Sequence, residues 1–276
     1  MDIFTINVGQ GSLSFVRHNK EAIIIDSRIP PSSDETVPFI KGIFSKYLKN
    51  HYVKGLILTG FDADHSDAIG VNIVLSKYRP EWIMYPKYFK DTDAASDVFQ
   101  VINDYEKDCN KSHSIFKRLS VSLDISQQAD LNSLSTNFNM QLFSPSFNDM
   151  TNSNNSSIVL RLQGNGVSNF SYLITGDTEN ERWKNINSMF GESLKSDVMA
   201  APHHGSKHSI NPETLLNVSP NTVLISAGVN NQYGHPHIQA VNAYSSVARH
   251  VYSTNTGFSL FTNYVNGQVN TITFKD

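Results

Sequence analysis

The chain has 276 residues, 22 Lys and Arg against 25 Asp and Glu, a formal net charge of −3, and 39% hydrophobic residues. That length and apolar content suffice for a substantial buried core, and the near-neutral charge excludes a protein that coats nucleic acid by bulk basicity, though not one with a local basic channel. The single cysteine, Cys109, excludes an internal disulfide and a thiolate zinc cluster.

The opening "MDIFTINVG" has neither a basic start nor a continuous apolar region, and no apolar run approaches the roughly 18 residues of a membrane span. A soluble cytoplasmic protein without a membrane association is the expectation. Apolar β-rich runs open the chain at "IFTINV" and "EAIIID", followed by a helical pattern over "DETVPFIKGIFSKYLKN", the strand "GLILT" and a helix over "SDAIGVNIVLSKY". From Lys87 to about Asn137 the pattern is polar and less regular, which suggests helical excursions on the surface and the place to look for a soluble protein partner. The turn-forming "SPSFNDMTNSNNSS" reads as a loop.

The β-rich opening then recurs. "SIVLRLQ" and "NFSYLITGD" read as a hairpin, "TENERWKNINSMF" as a helix, "SDVMAAP" and "NTVLISAG" as strands, and "HIQAVNAYSSVA" as a helix. The tail "HVYSTNTGFSLFTNYVNGQVNTITF" reads as final strands. Two halves of β-rich then βα pattern, about 1–137 and 138–276, imply one α/β domain over 1–276 with two sheets face to face and helices outside. No short exact repeat is visible, so the duplication rests on pattern alone.

Each polar cluster falls directly after an expected strand. Asp26 follows "AIII"; Asp62, Asp64, His65 and Asp67 follow "GLILT"; Asp177 follows "SYLITG"; "HHGSKH" follows "DVMAAP"; "YGHPH" follows "VLISAG". Strand ends on one edge of an α/β architecture are where ligands gather, so the clusters can share one cleft. Asp26 taken alone reads equally as a turn former, and Asp67 reads as the cap of the following helix. Asp62, Asp64 and His65, three donors over four residues on a turn, read as a carboxylate–imidazole metal site. His208 and His237 read as helix-start or surface residues, and His18, His51, His113 and His250 as structural.

In this order, "INVGQGSLSFV" with "IIIDS", "LTGFDADHSDAIG", "NNSSIVLRL", "LITGDTE", "DVMAAPHHGSKHS", "LISAGVNNQYGHP" and "YSTNTGFSLFT" resemble the metallo-β-lactamase superfamily, specifically its ComEC-like hydrolase branch. The resemblance covers nearly the whole chain, with "PHHGSKHS" and "NNQYGHP" its most specific pair. It implies an αβ/βα four-layer sandwich of two mixed β-sheets flanked by helices, with a metal cleft at their common edge. Carried over by position, Asp64, His65, the bridging Asp177 and His235 match one metal site. Asp26 matches an acid that supports the metal loop through hydrogen bonds, and His203 and His204 fall where related phosphodiesterases keep a histidine facing the scissile phosphate.

The other metal position departs from the superfamily pattern. Gly60 stands where a histidine is usual, Asp62 takes the next slot, and only "SNNSS" occupies the place of a further histidine. The resemblance therefore implies one firm site suited to Zn²⁺ or Mn²⁺ and one weaker, oxygen-rich site suited to Mn²⁺ or Mg²⁺. It implies a metal-dependent phosphodiesterase or nuclease acting on nucleic acid or a nucleotide. A hydrolase of another ester or lactone, and a catalytically quiet regulatory subunit motivated by Gly60, stay open.

Overall fold

The computed structural model describes residues 1–29, 36–123, 130–146, 152–166 and 170–275. The first half supplies β1 (Asp2–Thr5), β2 (Ser14–His18), β3 (Glu21–Ile25), α1 (Thr36–Tyr47), β4 (Tyr52–Ile57), α2 (Ala68–Tyr78), β5 (Trp82–Pro86), α3 (Asp93–Lys111) and β6 (Lys117–Val121). The second supplies β7 (Phe138–Ser144), β8 (Val159–Gly164), β9 (Ser171–Ile174), α4 (Asn180–Phe190), β10 (Val198–Ala200), α5 (Pro212–Val218), β11 (Thr222–Ile225), α6 (Ile238–Ser245) and β12 (His250–Ser253). A hairpin of β13 (Ser259–Val265) and β14 (Gln268–Phe274) follows.

These strands build two mixed sheets, one of eight strands in the order β14-β13-β1-β2-β3-β4-β5-β6 and one of six in the order β12-β11-β10-β9-β8-β7. Antiparallel pairing gives way to parallel at β3–β4 in the first sheet and, in the second, at β9–β10. The final hairpin returns to the first sheet, where β13 pairs with β1. The two sheets are thus not a clean division at the middle of the chain.

Alternation along the strands explains the layers. Ile3, Val16, Ile23, Ile25, Ile57 and Met84 point to one face and pack against Met140, Leu160, Leu162, Tyr172 and Leu224 of the second sheet. Their neighbours Phe4, Phe15, Ile24, Leu56 and Ile83 point the other way, against Ile40, Phe44, Val74, Val98 and Ile102 of the first three helices. On the outer face of the second sheet, Leu173, Met199 and Val223 meet Trp183, Leu215 and Tyr244 from α4, α5 and α6. The result is the four-layer α/β sandwich with two mixed sheets that the resemblance implies.

Asp67 caps α2 by accepting a hydrogen bond from the Gly70 amide at 2.8 Å, as its position before the helix suggests. The segment after Lys87 is more than a surface excursion. Thr92 caps α3, a 19-residue helix that buries Val98, Ile102 and Cys109 against the first sheet, and β6 then adds an edge strand parallel to β5. Only one stripe of α3 is apolar and β6 is mostly polar, so neither stands out from average composition. The readings of Asp34 and Glu35 as helix, and of 147–151 as loop, lie outside the described residues. Among the described residues no helix is long and apolar enough to cross a membrane.

Candidate metal centre

The parallel strands of both sheets end on one edge, and their C-terminal turns carry the polar clusters. Asp26 follows β3, the loop 58–67 follows β4, Asp177 follows β9, the "HHG" turn follows β10, and Ser226 and His235 follow β11. Backbone bonds lock these turns to one another. Within the β4 loop, His65 and Ser66 donate from their amides to the Asp62 carbonyl, each at 2.9 Å, and Ile158 donates to the Thr59 carbonyl at 2.9 Å, joining the two sheets. The Ser12 amide donates to the Asp64 carbonyl at 2.7 Å. Beside it Gly11 has φ +140°, and a Cβ there would stand 2.6 Å from that same carbonyl, so glycine alone fits.

Four side chains converge at this edge. The ligand atoms of Asp64, His65, Asp177 and His204 all lie within 4.8 Å of one another. His65 is the centre of the arrangement. Its Nε2 lies 2.7 Å from Asp177 Oδ1, and its Nδ1–H donates to Asp26 Oδ2 at 2.8 Å. Asp26 is 1% exposed and its Oδ1 also accepts from the Thr59 amide at 2.7 Å, so the carboxylate that orients the ring is itself fixed. Thr59, whose hydroxyl also reaches Asp26 and His65, carries no signal in the sequence because a threonine at a strand end is ordinary.

His204 enters from the other sheet. Its Nδ1–H donates to the Ser226 carbonyl at 2.8 Å, which turns Nε2 into the cluster, 3.3 Å from Asp64 Oδ2 and 3.7 Å from Asp177 Oδ1. His203 takes the rim, with Nε2 3.9 Å from Asp177 Oδ2 and Nδ1 3.5 Å from Glu179 Oε1. Both have left-handed backbones, φ +49° and +54°, and that turn presents adjacent rings to different parts of the cleft. His235 packs beside them, its ring centroid 6.2 Å from that of His204 and 5.6 Å from that of His203. It adjoins the four-residue cluster without being one of its members.

Asp62 turns away from the cluster. Its two carboxylate oxygens accept from the Lys90 ammonium and the Ser153 hydroxyl. Gly60 lacks a positive φ, and a Cβ there would meet nothing within 4 Å, so neither strain nor crowding explains the glycine. Asp62, Asp64, Lys90, Arg28, Asp177, His203, His204 and His235 all face one cleft of about 480 Å³.

The donor set suits a divalent ion. Donors about 2 Å from a tetrahedral ion stand roughly 3.3 Å apart, so a small adjustment of this cluster, in which His65 Nε2 and Asp177 Oδ1 part from 2.7 Å, would form a shell of two imidazoles and two carboxylates. His204 Nε2 is buried without a hydrogen-bond partner, as a nitrogen held for an ion would be. In the metal-free chain burial disfavours the charged ring of His65, but Asp177 and Asp26 outweigh it and hold its pKa well above the usual histidine value. His204 is raised in the same way, against burial, by Asp177 and Asp64. Burial pushes the Asp177 carboxyl up, yet the surrounding imidazoles hold it below the ordinary carboxylate range. Burial lowers the pKa of the His235 ring to about 4, and the raised His204 beside it acts in the same direction.

No family model matches the chain. It is 29% identical over 250 residues to ComE operon protein 3 of Bacillus subtilis (strain 168), a match covering 86% of this chain and 29% of that protein. It is 34% identical over 92 residues to competence protein ComA of Neisseria gonorrhoeae, covering 33% of this chain and 13% of that one. The chain thus spans less than a third of the length of either relative. Among solved structures, a diphosphatase of the PhnP family superposes with a TM-score of 0.50 at 10% identity, over 96% of this chain and 98% of that one. Two mixed sheets sandwiched by helices, with an acid–imidazole cluster at their shared edge, define a metallo-β-lactamase-fold protein. The similarity to the two competence proteins agrees with the ComEC-like resemblance of the sequence motifs.

Two outcomes follow from the bonding around His65. Replacing Asp26 with Ala frees the ring to rotate and should weaken divalent-ion affinity by about 10–100-fold, read by calorimetric titration of the chelated protein; unchanged affinity contradicts the orienting role. The raised pKa values favour the protonated rings of His65 and His204 in the metal-free chain, and those protons must leave for an ion to bind. Affinity should therefore climb as pH rises above the usual histidine value of 6.5, with protons released on binding. Calorimetry in buffers of different ionisation enthalpy checks this, and binding at pH 7 without proton release counts against it.

Proposed function

We propose that the chain is a metal-dependent phosphodiesterase or nuclease acting on nucleic acid or a nucleotide. The observation that carries the reading is the convergence of Asp64, His65, Asp177 and His204 at one strand-end edge, beside a rim histidine and two cationic side chains. The competence relatives support a nucleic-acid substrate, and the diphosphatase shares the fold.

A divalent ion held by those four residues supplies Lewis-acid polarisation of a phosphate oxygen and of water. The protein's own groups do the rest. Asp26 holds His65 in one orientation, and the Ser226 carbonyl holds His204 in one tautomer. Asp177 reaches the rings of both and spans the cluster, and His235 stacks beside His204 at the same cleft. His203 is the group placed to hand a proton to the leaving oxygen: its side chain is 22% exposed, faces the cleft and has Glu179 Oε1 3.5 Å from its Nδ1. Lys90 and Arg28 make the mouth attractive to an anion.

The test uses untagged protein, analysed for metal and assayed in Mn²⁺, Mg²⁺ and Zn²⁺ on linear, circular and single-stranded nucleic acid, a chromogenic phosphodiester and a lactone panel. The expected result is phosphodiester cleavage that chelation abolishes; cleavage of lactones alone overturns the reading, and a metal-loaded chain inert on every substrate is the quiet regulatory subunit instead. His203→Ala should keep its metal and lose about 10²–10⁴-fold in turnover. His204→Ala should lose metal and activity together. Retained activity in His203→Ala removes the proton-donor role.

A further inference from the structure

Asp62 is the residue the proposed chemistry leaves without work. It follows β4 on the same loop as Asp64 and His65, yet it stands outside the group of converging donor atoms. A half-buried carboxylate, its side chain 23% exposed, needs a compensating charge. It has one: Lys90, on the loop between β5 and α3, delivers its ammonium to one oxygen, and Ser153 donates to the other. Gly60, two residues before Asp62, offers no donor, and the space a side chain would fill there is open. Beside Asp62, therefore, the cleft has an acid, no imidazole, and an ammonium group already in place.

We propose that Lys90 takes the place of a second cation: the chain holds one divalent ion, and the ammonium of Lys90, seated on Asp62, receives the anionic group of the substrate beside it. Lys90 lines the same cleft as Asp64, Asp177, His203 and His204, so an anion bound there meets both charges. Arg28 does not substitute for it. Its guanidinium is spent on the loop itself, donating to the Ala63 carbonyl at 2.9 Å and lying 3.9 Å from Asp67. Asp62 thereby becomes a positioning residue that aims the ammonium, which is a different role from metal ligand. This inference deepens the phosphodiesterase reading and rests on it for the anionic character of the substrate.

The experiment measures metal content by elemental analysis and inorganic phosphate affinity by calorimetry, on protein chelated and then reloaded with Mn²⁺. The wild-type chain should hold one ion and bind phosphate. Lys90→Met, with Lys90→Gln as a second neutral variant, should still hold one ion while losing phosphate affinity about tenfold, the scale of one charge-assisted contact. Lys90→Arg should restore most of that loss. The double variant Gly60→His/Lys90→Met, which supplies an imidazole and frees Asp62, should take up a second ion at millimolar Mn²⁺. Two tightly held ions in the wild type overturn the proposal, as does phosphate affinity that the neutral variants leave unchanged or that the wild type lacks. Wild-type failure to cleave any phosphodiester, by contrast, counts against the enzymatic reading and leaves the metal count and the effect of Lys90 on phosphate to be judged separately.

Discussion

The imidazole of His65, held between the carboxylates of Asp26 and Asp177, is the interaction on which the rest of the site depends. Asp26 comes from the end of β3 and Asp177 from the end of β9, so one ring joins the edges of both sheets. All three side chains are buried, and buried charges of this kind persist only when every lone pair and proton finds a partner. Thr59 and the Ser157 hydroxyl complete that set, the latter accepting from the Asp177 amide at 3.0 Å. Breaking the chain at any point leaves a buried group uncompensated.

Around this chain the backbone adopts conformations that side-chain residues avoid. Asp26, His203 and His204 all have left-handed φ values, +57°, +49° and +54°. Such positions cost of order 1 kcal/mol or more each and persist where the surroundings hold them. Here the surroundings are the β-strands, which end together because two regular sheets pack through Ile23, Ile57, Leu160 and Ile174. Regular packing thus underwrites irregular turns, and those turns aim the polar groups.

Much of this was legible in the sequence, because strand-then-acid and strand-then-histidine patterns are local. Each cluster does follow a parallel strand, Asp67 does cap its helix, and Asp26 does bond to Thr59 and His65 on the loop after β4. Contacts between distant turns were not legible. Nothing near "HHG" reveals that the Ser226 carbonyl selects His204 over His203 for the interior, or that the His235 ring stacks beside that of His204. The pairing of Asp62 with Lys90 spans 28 residues and two loops, and no periodicity reports it. Strands β6 and β7 escaped for a related reason: β6 is a polar edge strand, and the alternation of β7 is short and bordered by turn-forming residues.

The direct test of the account is where an ion binds. Crystals soaked in Mn²⁺ or Zn²⁺ and measured at the metal's absorption edge should show one strong anomalous peak within bonding distance, about 2.0–2.3 Å, of Asp64, His65, Asp177 and His204. A strong peak held by Asp62 with Lys90 displaced, or no peak at the His65 edge at all, would contradict it.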